Sequence, residues 1–233
     1  MVYKITEGKR GIFVESLILT LIIFVVGFSI GFFVENHRTD KIIKDYKEYE
    51  VEALDLKLQN YYYQIMNKQA CDSAIKQNFV FADKLYSKGL VLEKYEEANQ
   101  ISDELTLEKK RYVLLKTELW LNTLLLKEKC VANFSTVVYF YSADPGNSAK
   151  VAEQKVISNV LKTVKENKGN EIVLLPIAGD MKLDAVTLQM NVYGVEKLPS
   201  ILIDEHTIIE GFSSVEEIER ALGAQNRETI FLN

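Results

Sequence analysis

The sequence predicts an apolar membrane span and a helical stalk, followed by a mixed α/β domain with the element order β-α-β-α-β-β-α. Three observations lead to this fold class. An uncharged apolar run lies near the amino terminus, all three prolines come after position 140, and β-branched segments alternate with helix-forming segments from Thr136 onward. Because proline is the strongest helix breaker, the proline-free first half can form long helices.

Composition excludes several classes of function. The 233 residues carry 28 Lys and Arg against 33 Asp and Glu, so the net charge of −5 gives no sign of a nucleic-acid partner. Two cysteines are too few for a disulfide-framework fold. Neither Cys71 nor Cys130 has a histidine or cysteine at a metal-ligand spacing. We therefore expect no metal, no cofactor and no nucleic acid.

The apolar run predicts a transmembrane signal anchor at residues 12–35, after a short tail of residues 1–11. Its centre, Ser16 to Val34, reads SLILTLIIFVVGFSIGFFV and carries no charge. About 20 such residues cross a bilayer core of about 30 Å. The run is long for a cleaved signal peptide, and the following FFVENHR lacks a small-residue cleavage site. A cleaved peptide and a buried helix are the alternatives.

Lys4, Lys9 and Arg10 before the span favour a cytoplasmic amino end and an extracytoplasmic carboxy-terminal domain. Arg38, Lys41 and Lys44 after the span compete with them. Gly27 and Gly31 form a small-xxx-small pair that lets two spans approach closely, although glycine is common in spans in any case.

Residues 36–130 predict a helical stalk, either a three-helix bundle or a coiled coil. The first helix continues from the span to about Lys68, and the next two cover Asp72–Gln100 and Asp103–Lys129. Short turns between long amphipathic helices favour up-down-up packing. A seam with steps of four and three residues is typical of a coiled coil and would allow a homodimer. Its members are Ile42, Tyr46, Tyr49, Ala53 and Leu56.

The up-down-up topology places the two cysteines at the same end of the bundle. Cys71 follows the first helix and Cys130 ends the third, so both are expected at the membrane-distal end. We predict a structural disulfide between them, which agrees with an oxidising, extracytoplasmic location. Two unrelated buried thiols and a redox-active pair are the alternatives.

The strands of the mixed domain, residues 134–223, are marked by β-branched and aromatic content. The first is TVVYFY from Thr136, and EIVLLPI from Glu171 is a short strand of the buried type. PSILID from Pro199 and TIIE from Thr207 form a hairpin around a tight turn at Glu205–His206.

The helices of this domain are marked by caps. Asp144 is a suitable N-cap for the first helix, which Gly169 ends. Asp180–Tyr193 predicts the second helix, and Ser214 with Glu217 forms a capping box for the third. Residues 224–233 are a carboxy-terminal tail.

Two segments carry a resemblance to a known family. VVYFYSADPGNSAK is similar to the strand, active-site loop and helix of thioredoxins, and YGVEKLPSILIDEHTIIEGF is similar to their cis-proline turn and final hairpin. Residues 134–223 therefore resemble the thioredoxin superfamily. The resemblance implies a cis bond at Pro199, preceded by Leu198. It also implies that the backbone before this proline can pair with an extended chain.

The dithiol of the family is missing from this chain. Its two cysteine positions fall on Pro145 and Ser148, so disulfide exchange has neither a nucleophilic nor a resolving thiol here. A serine hydroxyl needs an activating base, and the two histidines, His37 and His206, lie elsewhere in the sequence. We therefore predict no catalytic residue. The candidate binding surface is Asp144, Pro145, Gly146, Asn147 and Ser148 facing Leu198 and Pro199.

These expectations combine into a membrane-anchored, redox-inactive thioredoxin-like protein that binds a polypeptide or acts as a scaffold. The chain is then not an enzyme. One alternative is a thiol–disulfide oxidoreductase that uses Cys71 and Cys130. The other is a structural protein that oligomerises through its coiled-coil seam.

Overall fold

The structure, a computed structural model, describes residues 4–97, 103–130, 132–143, 146 and 148–231. Six α-helices lie in these ranges, and their bounds are α1 Lys4–Ile65, α2 Cys71–Glu97, α3 Asp103–Cys130, α4 Ser148–Lys168, α5 Asp184–Tyr193 and α6 Val215–Phe231. The four strands are β1 Ser135–Tyr141, β2 Ile172–Ala178, β3 Ser200–Ile203 and β4 Thr207–Glu210. The chain divides into two compact units between Glu50 and Val51.

The first unit contains the predicted anchor. Val14–Phe33 is a 20-residue helical segment that is long and apolar enough to cross a membrane. Its large apolar side chains are exposed, with Leu17 and Phe24 at 69% and 70%. An apolar helix without a protein partner along its length fits a bilayer better than water.

In the second unit, the end of α1 packs against α2 and α3. The Asn122 side-chain amide on α3 donates to the Leu56 carbonyl at 3.2 Å and accepts from Asn60 at 2.6 Å. Glu52, which is buried, pairs with Lys84 at 2.6 Å and Lys88 at 2.7 Å on α2.

Two members of the predicted coiled-coil seam, Ala53 and Leu56, have side chains that the structure describes. Leu56 is buried within this same chain, while Ala53 is exposed. The side chains of Ile42, Tyr46 and Tyr49 lie outside the described residues. A coiled coil along that seam stays a prediction.

The predicted disulfide is confirmed. Cys71 and Cys130 are bridged, with their Cα atoms 5.4 Å apart and a sequence separation of 59. The bridge joins the first residue of α2 to the last residue of α3. It lies beside an apolar cluster formed by Tyr63, Ala74 and Leu126.

The strands form one mixed sheet in the order β2-β1-β3-β4. β1 runs parallel to β2 and antiparallel to β3, which pairs with β4 as a hairpin. Alternate residues of β1 therefore point to opposite faces. Val137 and Tyr139 face α4 and α6, where they pack with Ile157, Leu161, Val164, Ile218 and Leu222.

The other face of the sheet is covered by α3 together with α5. Trp120 of α3 is fully buried, with its ring 5.9 Å from Phe140 of β1 and 5.3 Å from Tyr193 of α5. Lys116, one turn earlier, donates to the Pro176 carbonyl of β2 at 2.7 Å. α3 thus packs both against the helices before it and against the sheet. The predicted boundary between a stalk ending at 130 and a domain beginning at 134 stays a prediction.

Along the chain, the elements after residue 134 follow the predicted order, β1-α4-β2-α5-β3-β4-α6. The predicted start of the second helix is wrong, since α5 begins at Asp184 rather than Asp180. The Asp180 carboxylate accepts hydrogen bonds from Ser142 and Ala143 instead of capping a helix. The hairpin turn includes Asp204 and Glu205, both with positive φ.

The predicted capping box is present at the start of α6. The Ser214 N–H donates to Glu217 at 2.9 Å, and the Glu217 N–H donates to the Ser214 hydroxyl at 3.3 Å. The bond from the Ser214 N–H, with one from the Ser213 hydroxyl, favours the ionised carboxylate, so the pKa of Glu217 lies below its ordinary value of 4.5.

Replacing Glu217 with alanine is expected to lower the melting temperature at pH 7. Because the pKa of Glu217 is depressed by folding, its stabilisation is complete above the pKa of the unfolded chain. It is lost as pH falls through the lower folded pKa. The gap between variant and wild type should therefore shrink at pH 3, which thermal denaturation at both pH values measures. Glu216→Ala in the same turn is the control. An equal loss for both variants at pH 7 would contradict the cap.

Candidate functional site

Three segments meet at one end of the sheet. β1 and β2 are parallel and end together, and the Gly179 N–H after β2 donates to the Tyr141 carbonyl at 2.9 Å. β3 begins beside them, with Ser200 opposite Phe140. Leu198 and Pro199, just before β3, therefore lie near the residues that follow β1 and β2. This edge is the candidate site.

The segment that leaves β1 is held by two side chains. Asp180 accepts a hydrogen bond from the Ser142 hydroxyl and another, at 2.7 Å, from the Ala143 N–H. Gln154 of α4 accepts from the Ser142 N–H at 2.7 Å and donates to the Ser142 carbonyl at 3.0 Å. These bonds fix the direction in which the chain enters the predicted loop.

The Leu198–Pro199 bond is cis, as the resemblance implies. The Leu198 side chain packs on Gly179, where an added Cβ would come within 3.1 Å of both Leu198 methyl groups and 2.9 Å of the Met190 sulfur. The Pro199 carbonyl accepts from the Gly211 N–H at 3.0 Å. A side chain at Gly179 would thus require the Met190 and Leu198 side chains to shift.

The backbone of Leu198 directly precedes Pro199 in this turn. Among the described residues, its N–H and C=O make no hydrogen bond. Backbone groups of folded proteins normally pair with the chain, with water or with a ligand. The apolar ring of Phe212 follows Gly211 and is 58% exposed. The site therefore offers one backbone donor, one backbone acceptor and an exposed aromatic ring.

The predicted loop is described in part. Gly146 and Ser148 are exposed, and Ser148 is the first residue of α4. Asp144, Pro145 and Asn147 lie outside the described residues, so the predicted N-cap at Asp144 does too. That this loop faces the Leu198–Pro199 turn stays a prediction.

Sequence reasoning did not identify Asp180, Gln154 and Phe212 as parts of this edge. The sequence predicts a helix start at Asp180, although its position directly after β2 and Gly179 is a signal for a strand-end residue. Gln154 sits in the middle of α4, where nothing in the local pattern distinguishes it from a solvated glutamine. Phe212 follows the glycine of the final hairpin, and its exposure is visible only in three dimensions.

The described side chains at this edge make hydrogen bonds through Asp180, Gln154 and Tyr139. Burial raises the pKa of Tyr139, whose hydroxyl donates to the Gln154 carbonyl at 3.3 Å, so this phenol stays neutral. Within the described residues, no group of three or more His, Cys, Asp or Glu side chains is placed to hold a metal ion.

The two cysteines are placed by α2 and α3 and are not part of this edge. Cys71 is 8% exposed, and the bridge packs with Tyr63, Ala74 and Leu126. This setting suits a structural bridge, because exchange requires a thiolate to reach a sulfur atom. An oxidoreductase that uses this pair stays a prediction.

Comparison with known proteins gives a likeness to solved structures. No family model matches the chain, and no curated protein matches it. Among solved structures, the chain is similar to one described as the structure of a malarial protein. The two are 20% identical, and the match covers 40% of this chain and 97% of the other with a TM-score of 0.31.

Proposed function

We propose that the chain is a single-pass membrane protein whose thioredoxin-like domain lacks the dithiol and binds an extended polypeptide. The observation that carries this proposal is the Leu198 backbone, whose N–H and C=O have no hydrogen-bond partner among the described residues. A strand-like ligand can satisfy both groups at once, as in recognition by strand addition.

The surroundings of Leu198 suit such a ligand. Its side chain packs on Gly179. Its backbone lies just before β3, at the end of the sheet where β1 and β2 also end. The exposed Phe212 ring supplies apolar area for a ligand side chain. Aromatic residues are enriched where binding energy is concentrated.

The disulfide supports an extracytoplasmic position for this domain. Bridges between cysteines persist in oxidising compartments and are rare in the cytosol. Cys71 and Cys130 are bridged in the unit that follows the apolar helix. A cytoplasmic amino end and an outer carboxy-terminal domain agree with this.

A hydrogen-exchange experiment on the full chain in detergent micelles tests the proposal. The probe is a reduced, carboxymethylated polypeptide that stays unfolded. We expect it to slow exchange of the Leu198 amide, because a strand added there would accept its hydrogen bond. Unchanged exchange at Leu198 in the presence of saturating probe would refute the proposed site.

Affinity for the same probe gives the matched mutational test. Phe212→Ser is expected to weaken binding about tenfold, in the range of loss of an aromatic contact. Leu188→Ser is the control, since Leu188 of α5 is also apolar and is 63% exposed. Equal weakening by both substitutions would point to nonspecific adhesion.

A further inference from the structure

The last part of α1 carries a line of large apolar side chains that nothing in the described chain covers. They are 56% to 82% exposed. The line, here called the outer seam, consists of Val51, Leu54, Leu58, Tyr61 and Ile65. Isolated exposed apolar residues are ordinary on protein surfaces, but a contiguous row marks an interaction site.

The outer seam has coiled-coil spacing. Its members follow one another in steps of three, four, three and four residues, so they occupy alternating a and d positions of a heptad repeat. α1 meets the rest of its own unit through a different face, which includes Leu56 and Tyr63, both buried. The intramolecular packing of α1 therefore leaves the outer seam available.

We infer that the outer seam binds the same seam of a second copy of this chain, with the two α1 helices parallel. A two-fold contact requires a surface that complements itself, and alternating a and d side chains of one helix fit the holes of an identical helix. Each copy supplies Val51, Leu58 and Ile65 at a, and Leu54 and Tyr61 at d.

The size of the contact is sufficient for a specific dimer. Five large side chains at roughly 100 Å² each would bury about 500 Å² per chain and about 1,000 Å² in total, the level at which specific interfaces begin. If the amino-terminal helix is anchored as proposed above, two copies in one bilayer also leave the membrane in the same direction. Their effective concentration is then raised.

This seam differs from the one that the sequence pattern favoured. Leu56, the last member of that pattern, is 1% exposed because it packs within its own chain. It is therefore not available to a second copy. Ala53 and Leu54 are adjacent and both exposed, but Ala53 belongs to the seam predicted from the sequence and Leu54 to the outer seam. Substitutions at these two positions therefore show which seam forms the contact.

Cysteine cross-linking of the full chain in membranes tests the inference. Both native cysteines are bridged, so a cysteine introduced on α1 is the free thiol. Leu54→Cys is expected to give a disulfide-linked product of twice the chain mass under mild oxidation. Its yield should be at least about tenfold above that of Ala53→Cys. Equal yields, no product, or a product that contains a different protein would overturn the inference.

A second variant separates loss of contact from loss of folding. With Ile65→Cys as the reporter, the pair Leu54→Glu and Leu58→Glu should abolish the dimeric product, while Ala53→Glu should leave it intact. All four substituted positions are exposed, so circular dichroism should be unchanged. A dimeric product that survives the double substitution would also overturn the inference.

Discussion

Replacing Trp120 with alanine is expected to lower the free energy of unfolding of the second unit by about 3–5 kcal/mol, the range for removal of a large buried aromatic side chain. Trp120 has no exposed surface and contacts rings on both β1 and α5. Its indole N–H also donates to Glu205 at 3.0 Å. The substitution therefore leaves a cavity between α3 and the sheet and removes a partner from a carboxylate in the hairpin turn.

Denaturant titration followed by circular dichroism measures this loss. The control is Leu121→Ala, one residue further along α3, where the side chain is 42% exposed. Its cost should be well below that of Trp120→Ala, since less apolar area leaves contact with the protein. If both variants lost the same stability, α3 would not be packed on the sheet as described.

Removing the disulfide is expected to cost about 4 kcal/mol, according to the chain-entropy relation for a loop of this length. The bridge closes a sequence separation of 59 residues, which covers all of α2 and α3. Without it, the unfolded chain gains conformational freedom, and the ends of the two helices are no longer tied. The double substitution Cys71→Ser and Cys130→Ser produces this state without a free thiol.

Reduction of the wild type provides the matched comparison. The wild type in reductant should unfold at the same denaturant concentration as the double variant, and reductant should not affect the double variant. Equal midpoints for oxidised wild type and the double variant would show that the bridge adds no stability.

Local patterns predicted the order of elements and the bridge. Strands such as Ser135–Tyr141 are rich in β-branched and aromatic residues. The lengths of α2 and α3 determine that the start of α2 and the end of α3 lie at the same end of the bundle. An up-down-up arrangement then brings Cys71 and Cys130 together without knowledge of side-chain packing. The capping box at Ser214 and Glu217 is equally local.

The sequence does not show which element packs against each apolar helix face. The pattern of α3 indicates that Trp120 is buried. It does not indicate that Trp120 packs against a sheet that begins more than ten residues further along the chain. Two different rows with steps of three and four fit the same helix α1, and the sequence does not show that Leu56 is buried while Leu54 and Leu58 are exposed. The role of Asp180 required knowledge of where β1 ends.

The packing of α3 on the sheet determines where the chain can be cut into fragments and in what order its layers form during synthesis. A fragment that begins at residue 134 would present Phe140 and its neighbours on one sheet face to water, because α3 supplies their cover. Such a fragment should aggregate. During synthesis α3 precedes the strands, so the part of their cover that α3 supplies is made before the first strand emerges. A cut or a swap of modules belongs before Val51 rather than inside the second unit.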